Sequence, residues 1–218
     1  MKHVSWILLG LVLGPLTACF PTPETTGALG NGGFTYSCTG GGDAMCRRFD
    51  GDATPPSQIA VGSRFGLFYT PDSSQQNKGS GTPTVVAASP AMASFQDTSF
   101  TAATAGQSAF LARRDDGTVV DFLMIDLVPV DHFEVPTGLE LAMLGSSSVT
   151  VTPQSVAGET IGGSLSYVWS SSPDNVVNIT PSGNTAQIVG VSPGTAEVTV
   201  QAGGAISTFA VTVLGGAP

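Results

Sequence analysis

Residues 195–200 read Thr195-Ala196-Glu197-Val198-Thr199-Val200, with polar and apolar side chains in strict alternation. Successive side chains of a β-strand point to opposite faces, so this stretch describes a strand with one buried face. The strand runs to Ala202, and Ile206 to Leu214 follows across Gly203-Gly204, which predicts a hairpin. Upstream, Val176 to Thr180 and Thr185 to Val191 flank the turn Pro181-Ser182-Gly183-Asn184. Leu165 to Ser170, with Trp169 at its end, precedes the turn Ser171-Ser172-Pro173-Asp174-Asn175, and Val149 to Val156 opens the series. Short strands at this spacing, punctuated by turn residues, predict a β-sandwich.

Three segments of this half occur in an order that resembles the bacterial immunoglobulin-like domain, group 2. They are Tyr167-Val168-Trp169-Ser170-Ser171-Ser172-Pro173, then Val189-Gly190-Val191-Ser192-Pro193-Gly194-Thr195-Ala196, then Phe209-Ala210-Val211-Thr212-Val213. The resemblance covers about residues 133–214. It implies a small sandwich used in extracytoplasmic proteins as a spacer or adhesive module, with Trp169 facing the core rather than offering a platform for a sugar.

The preceding hundred residues carry the same theme less openly. Arg64 to Tyr69, Thr84 to Ser89, Ser99 to Ala103, Ser108 to Arg113 and Thr118 to Val128 are predicted strands, the last two joined through Asp115-Asp116-Gly117. Residues 71–82, PDSSQQNKGSGT, read as a mobile polar loop open to proteolysis. Ala88-Ser89-Pro90 stands where Ser171-Ser172-Pro173 stands in the second half, and Ala105-Gly106-Gln107-Ser108-Ala109 parallels Pro193-Gly194-Thr195-Ala196. The first half therefore reads as a divergent copy of the second.

At the N-terminus, Lys2 is followed by the apolar run Val4 to Leu16 and the small residues before Cys19, the layout of an export signal. Leu16-Thr17-Ala18-Cys19 resembles the lipobox of bacterial lipoproteins. That resemblance implies cleavage before Cys19, lipidation of Cys19 and anchoring by more than one acyl chain, as stable attachment requires. Phe20, in place of the aspartate linked to inner-membrane retention, implies sorting to the outer membrane. With Cys19 lipidated, Cys38 and Cys46 remain as an even pair in an oxidising compartment, and a disulfide between them is expected. Its short loop would contribute roughly 2–3 kcal/mol.

The expected architecture is thus all-β: two immunoglobulin-like β-sandwich domains in series after a lipoprotein signal peptide and a flexible tether. The segments are residues 1–18 (signal), 19–33 (lipidated cysteine and tether, FPTPETTGALGNGG after Cys19), 34–131 (divergent sandwich) and 132–218 (second sandwich).

Composition narrows the function. The 218 residues carry 16 acidic and 7 basic side chains, a formal net charge of −9, so nucleic acid is a poor partner candidate and none is expected. A Ser-His-Asp hydrolase needs a histidine, and beyond the signal only His132 is present, beside Asp131; no G-x-S-x-G elbow presents a serine. Asp43, Asp50 and Asp52 form a weak candidate calcium loop that lacks the full spacing of a dedicated one, and a solvated turn is the better reading. No catalytic residue, metal site or cofactor is expected. The chain reads as a non-catalytic cell-envelope lipoprotein, held to the membrane by its lipid, that presents or spaces a surface for a protein or polysaccharide ligand. Alternatives are a periplasmic accessory subunit of an envelope complex, or a calcium- or carbohydrate-dependent enzyme subunit using the acidic loop.

Overall fold

The computed structural model describes residues 25–37, 41–46, 52–76, 78 and 81–215. Its first half contains β1 (Thr25–Thr26), β2 (Gly32–Ser37), β3 (Asp52–Ala53), β4 (Gln58–Ala60), β5 (Arg64–Pro71), the one-turn helix α1 (Ser73–Gln76), β6 (Thr84–Ala87), β7 (Ala93–Gln96), β8 (Ser99–Ala102), β9 (Gly106–Arg113) and β10 (Val119–Val128). The second half contains β11 (His132–Glu134), β12 (Leu139–Ala142), β13 (Ser146–Thr150), β14 (Thr152–Gln154), β15 (Val168–Ser172), β16 (Val177–Ser182), β17 (Thr185–Gly190), β18 (Gly194–Ala202) and β19 (Ala205–Leu214).

Alternation decides the layers. Along β18, Ala196, Val198, Val200 and Ala202 are buried while Thr195, Glu197 and Gln201 face out. That strand pairs with β19 and β15, and β12 closes the layer by running parallel to β19, giving the order β12-β19-β18-β15. The facing layer is β13-β17-β16, with β14 continuing β13 onto β11. The first half repeats this plan. Its layer β4-β10-β9-β6 again ends in a short strand, β4, parallel to the last one, β10. Its facing layer is β2-β5-β8-β7, with β1 and β3 added on β2. Both halves therefore carry the strand order of immunoglobulin-like sandwiches, one layer of the constant-domain type facing another that holds the last hairpin.

Main-chain turns match as well. Between β4 and β5, the Gly62 N–H donates to Ala102 O, Ser63 N–H to Ala60 O and Ala102 N–H to Ser63 O. Between β12 and β13, the Leu144 N–H donates to Gly190 O, Gly145 N–H to Ala142 O and Gly190 N–H to Gly145 O. Gly62 and Leu144 occupy one position of this turn, both with positive φ (85° and 65°). At the Asp115-Asp116-Gly117 turn, Asp116 accepts from Thr118 N–H and β9 joins β10 in antiparallel register, as expected.

Side chains fill the two sandwiches differently. The first core is aromatic: Phe65, Phe100 and Phe110 pack with ring centroids 5.2–5.6 Å apart, and Phe34, Tyr36 and Tyr69 join the same cluster. Burying each ring contributes on the order of 2–3 kcal/mol. The second core is largely branched aliphatic, with Val151, Ile161, Ile188, Val198, Val200 and Val211 all fully enclosed. Ala60, from the first half, belongs to this second cluster, so the cores meet at the junction.

Three expectations change. Residues 25–33, read as tether, are folded: β1 pairs with the start of β2, and β2 pairs with β5 from Gly32 to Ser37. The segment 71–82 is not simply a loose loop. Its described part includes α1, and Arg114 donates to the carbonyls of Gln75 and Gly81; residues 77, 79 and 80 lie outside the described residues. The strand expected over Val149 to Val156 is divided into β13 and β14, which pair with different neighbours.

Candidate functional site

The acidic candidate opens at Asp43. This residue is buried, accepts hydrogen bonds from the Tyr36 hydroxyl and the Met45 N–H, and sits where the two sandwiches meet. Burial raises its pKa, and the hydrogen bonds from Tyr36 and Met45 oppose that rise. Burial, then the charge of Asp43, holds Tyr36 well above the usual phenol range. Such a carboxylate is already committed to neighbours and poorly placed to join a calcium shell, which needs six to eight oxygens. Asp50 and the side chain of Asp52 lie outside the described residues. Among the described residues no group of three or more His, Cys, Asp or Glu side chains could hold a metal ion.

Around Asp43 the contact between sandwiches is mostly backbone. Segment 162–164 inserts beside β4 and β5: Ala60 N–H donates to Gly162 O, Gly162 N–H to Gln58 O, Arg64 N–H to Ser164 O and Ser164 N–H to Arg64 O. Glycine is required there. At Gly163 φ is +103°, and a Cβ would lie 2.0 Å from Ser63 Oγ. Gln58 Nε2 also donates to Glu159 across the junction at 2.6 Å. Tyr167, raised in pKa by burial and then by Asp43, has a buried hydroxyl with no hydrogen-bond partner among the described residues.

A second polar cluster fastens the N-terminal segment. Asp121 is fully buried, at the bulge between Val119 and Asp121 in β10. Its Oδ1 accepts from the N–H groups of Leu29 and Phe122, and its Oδ2 from Asn31 N–H, all at 2.8 Å. Gly27 lies flat on this carboxylate, where a Cβ would come within 2.2 Å. Beside it, burial first, then Asp121 and Asp72, push Tyr69 up to about 12. Arg114, also buried, separates two open clefts of about 350 and 450 Å³, one lined by Leu29, Asn31 and Val119, the other by Pro71, Gln76 and Pro83.

The remaining candidates stay apart. Among the described cysteines, Cys46 is disulfide-bonded; Cys19 and Cys38 lie outside the described residues. His132 Nδ1 and Asp131 Oδ2 are 2.9 Å apart, with both side chains half exposed. Trp169 packs against the second core, and its Nε1 donates to Gly183 O at 3.1 Å. Sequence reasoning missed Asp121, Arg114 and the glycines at 162–163. The available sign was a carboxylate interrupting the apolar run of β10, since a charge in a buried strand needs partners.

No family model matches the chain, and no curated protein matches it. Among solved structures it is similar to domains 4 and 5 of the S-layer protein SbsC, at 14% identity and a TM-score of 0.36, over 67% of this chain and 82% of that one. It is also similar to the Yersinia pseudotuberculosis adhesin InvE, at 15% identity and a TM-score of 0.35, over 72% of this chain and 56% of that one. Against invasin, a bacterial integrin-binding protein, the values are 18%, 0.32, 73% and 38%. The chain thus spans little more than half of the InvE chain and less than half of the invasin chain. Strand order, not these likenesses, carries the fold assignment.

Proposed function

We propose that this chain is a non-catalytic cell-envelope lipoprotein, anchored through Cys19, whose two sandwiches present an interaction surface to a protein or polysaccharide partner. One observation carries the non-catalytic reading. The buried charged side chains described in the structure hold the scaffold together: Asp43 binds Tyr36 and Met45, Asp121 binds three backbone amides, and Arg114 binds two carbonyls. An active site would keep such groups available to substrate. In this reading residues 1–18 are the export signal, and Cys46 pairs with Cys38 to staple the first sandwich. The second sandwich is of the group 2 bacterial immunoglobulin-like kind. Only five residues separate Cys19 from Thr25, a span of about 20 Å fully extended. The first sandwich would then stand close to the outer membrane, with the second projecting from it.

Replacing Cys19 by Ser and fractionating the cells tests the anchor. The variant should move to the soluble fraction while the parent stays with the outer membrane; a variant that remains membrane-bound would overturn the reading.

A further inference from the structure

Segment 41–46, which follows β2 in the chain, lies between the two sandwiches. Its hold on the first is through Asp43, which accepts from the Tyr36 hydroxyl and the Met45 N–H. Met45 and Cys46 add to that hold by packing against the aromatic core. Its hold on the second sandwich has two points. Ser164 Oγ donates to Gly41 O at 3.2 Å. Gly42 lies so close to the turn between β16 and β17 that a Cβ on Gly183 would come within 2.9 Å of Gly42 Cα. A Cβ on Gly42 would in turn meet the Tyr167 ring at 3.2 Å. Glycine against glycine leaves no side chain to adapt if the segment shifts. Two separated contacts also fix an orientation about which one alone would pivot. The segment has no helix or strand of its own, so its order has to be imposed from its ends. One of those ends is Cys46, which is disulfide-bonded and only partly buried.

We infer that the disulfide at Cys46 is a redox-controlled clasp on the junction. Closed, it keeps segment 41–46 seated on the second sandwich and fixes the angle between the two. Open, it frees the segment, and the second sandwich pivots on the main-chain contact at 162–164. The inference rests on the pairing of Cys46 with Cys38 proposed above, and goes beyond a staple of the first core. Opening takes a dithiol. One thiolate attacks a sulfur of the bond, and the second thiol resolves the mixed disulfide. Two electrons and two protons pass to Cys38 and Cys46, and the reagent leaves as its own disulfide. The partial exposure of Cys46 gives that reagent access. In an oxidising compartment the clasp stays shut, and the second sandwich is presented at one angle.

Spin labels carried on bioorthogonal, non-cysteine side chains at Thr98 and Thr180, both exposed, report the distance between the sandwiches in the full chain held in detergent micelles. The parent should give one narrow distance distribution. Dithiothreitol should broaden it roughly twofold and speed amide exchange at Gly162 and Ser164 about tenfold, while exchange in β10 and β18 changes by less than about twofold. The double variant Cys38→Ser, Cys46→Ser should match the reduced parent. Gly42→Val keeps the disulfide but cannot seat against Gly183, and it should give the same broadening. A distribution that stays narrow on reduction would overturn the proposal. So would loss of the first sandwich's protection in β10 on reduction, because the bond would then be holding that core rather than the junction. Non-reducing peptide mapping reads the pairing itself and cell fractionation the anchor, so a failure of either reading is told apart from a failure of the clasp.

Discussion

The first sandwich is aromatic, carries extra strands β1 and β3 on its edge, and closes around a buried carboxylate. The second is valine-rich and, among the described residues, has none of these additions. Yet β4-β10-β9-β6 and β12-β19-β18-β15 are the same layer, and Gly62 and Leu144 sit in the same turn with the same three hydrogen bonds. What persists between the halves is main-chain geometry, and what varies is the side-chain filling. Cores tolerate wide substitution when volume and pattern are kept, whereas a turn held by its own amides has few alternatives.

The comparison breaks most sharply at Asp121, which has no counterpart described in the second half. Asp121→Ala leaves the amides of Leu29 and Asn31 without their acceptor and should cost about 3 kcal/mol or more. Asp121→Asn keeps one oxygen and should cost about half as much. Chemical denaturation measures both, and limited proteolysis should show the region 25–33 opening first.

A smaller effect is expected at the junction. Gly163→Ala forces a Cβ against Ser63 on a backbone that favours glycine and should cost about 2–3 kcal/mol. Calorimetry should then resolve separate transitions for the two sandwiches, with the valine core melting near its original temperature.

The smallest effect is a pH dependence. Asp43 is raised from 3.8 by burial, so it keeps its proton in the folded state where the unfolded chain has already lost it. Stability from this group is present below that value and declines as pH rises through the raised one, by at most about 1.4 kcal/mol per pH unit. Asp43→Asn retains an oxygen for Tyr36 and should flatten the decline. Denaturation midpoints between pH 3 and 7 measure it.

The same contrast explains what sequence could reveal. The second half was legible because Thr195 to Ala202 and Ile206 to Leu214 alternate cleanly around a glycine turn. In β2 the buried face begins with Gly32 and Gly33, and periodicity does not register burial without side chains, so the stretch passed for a tether. Strand β4 has three residues and β7 four, both too short to show a period. Asp121 was visible as an interruption, but its partners lie 90 and 92 residues away, a distance no local pattern spans. Leu144 reads as one more apolar residue until its backbone is compared with that of Gly62.

Amide hydrogen exchange on the full chain, resolved residue by residue, tests the claim of two sandwiches on one plan most directly. The account predicts slow exchange in β5, β8, β9 and β10 comparable to that in β17, β18 and β19, together with protected amides at Leu29, Asn31 and through β2. Random-coil exchange across residues 25–37, or an unprotected first half beside a protected second, would contradict it.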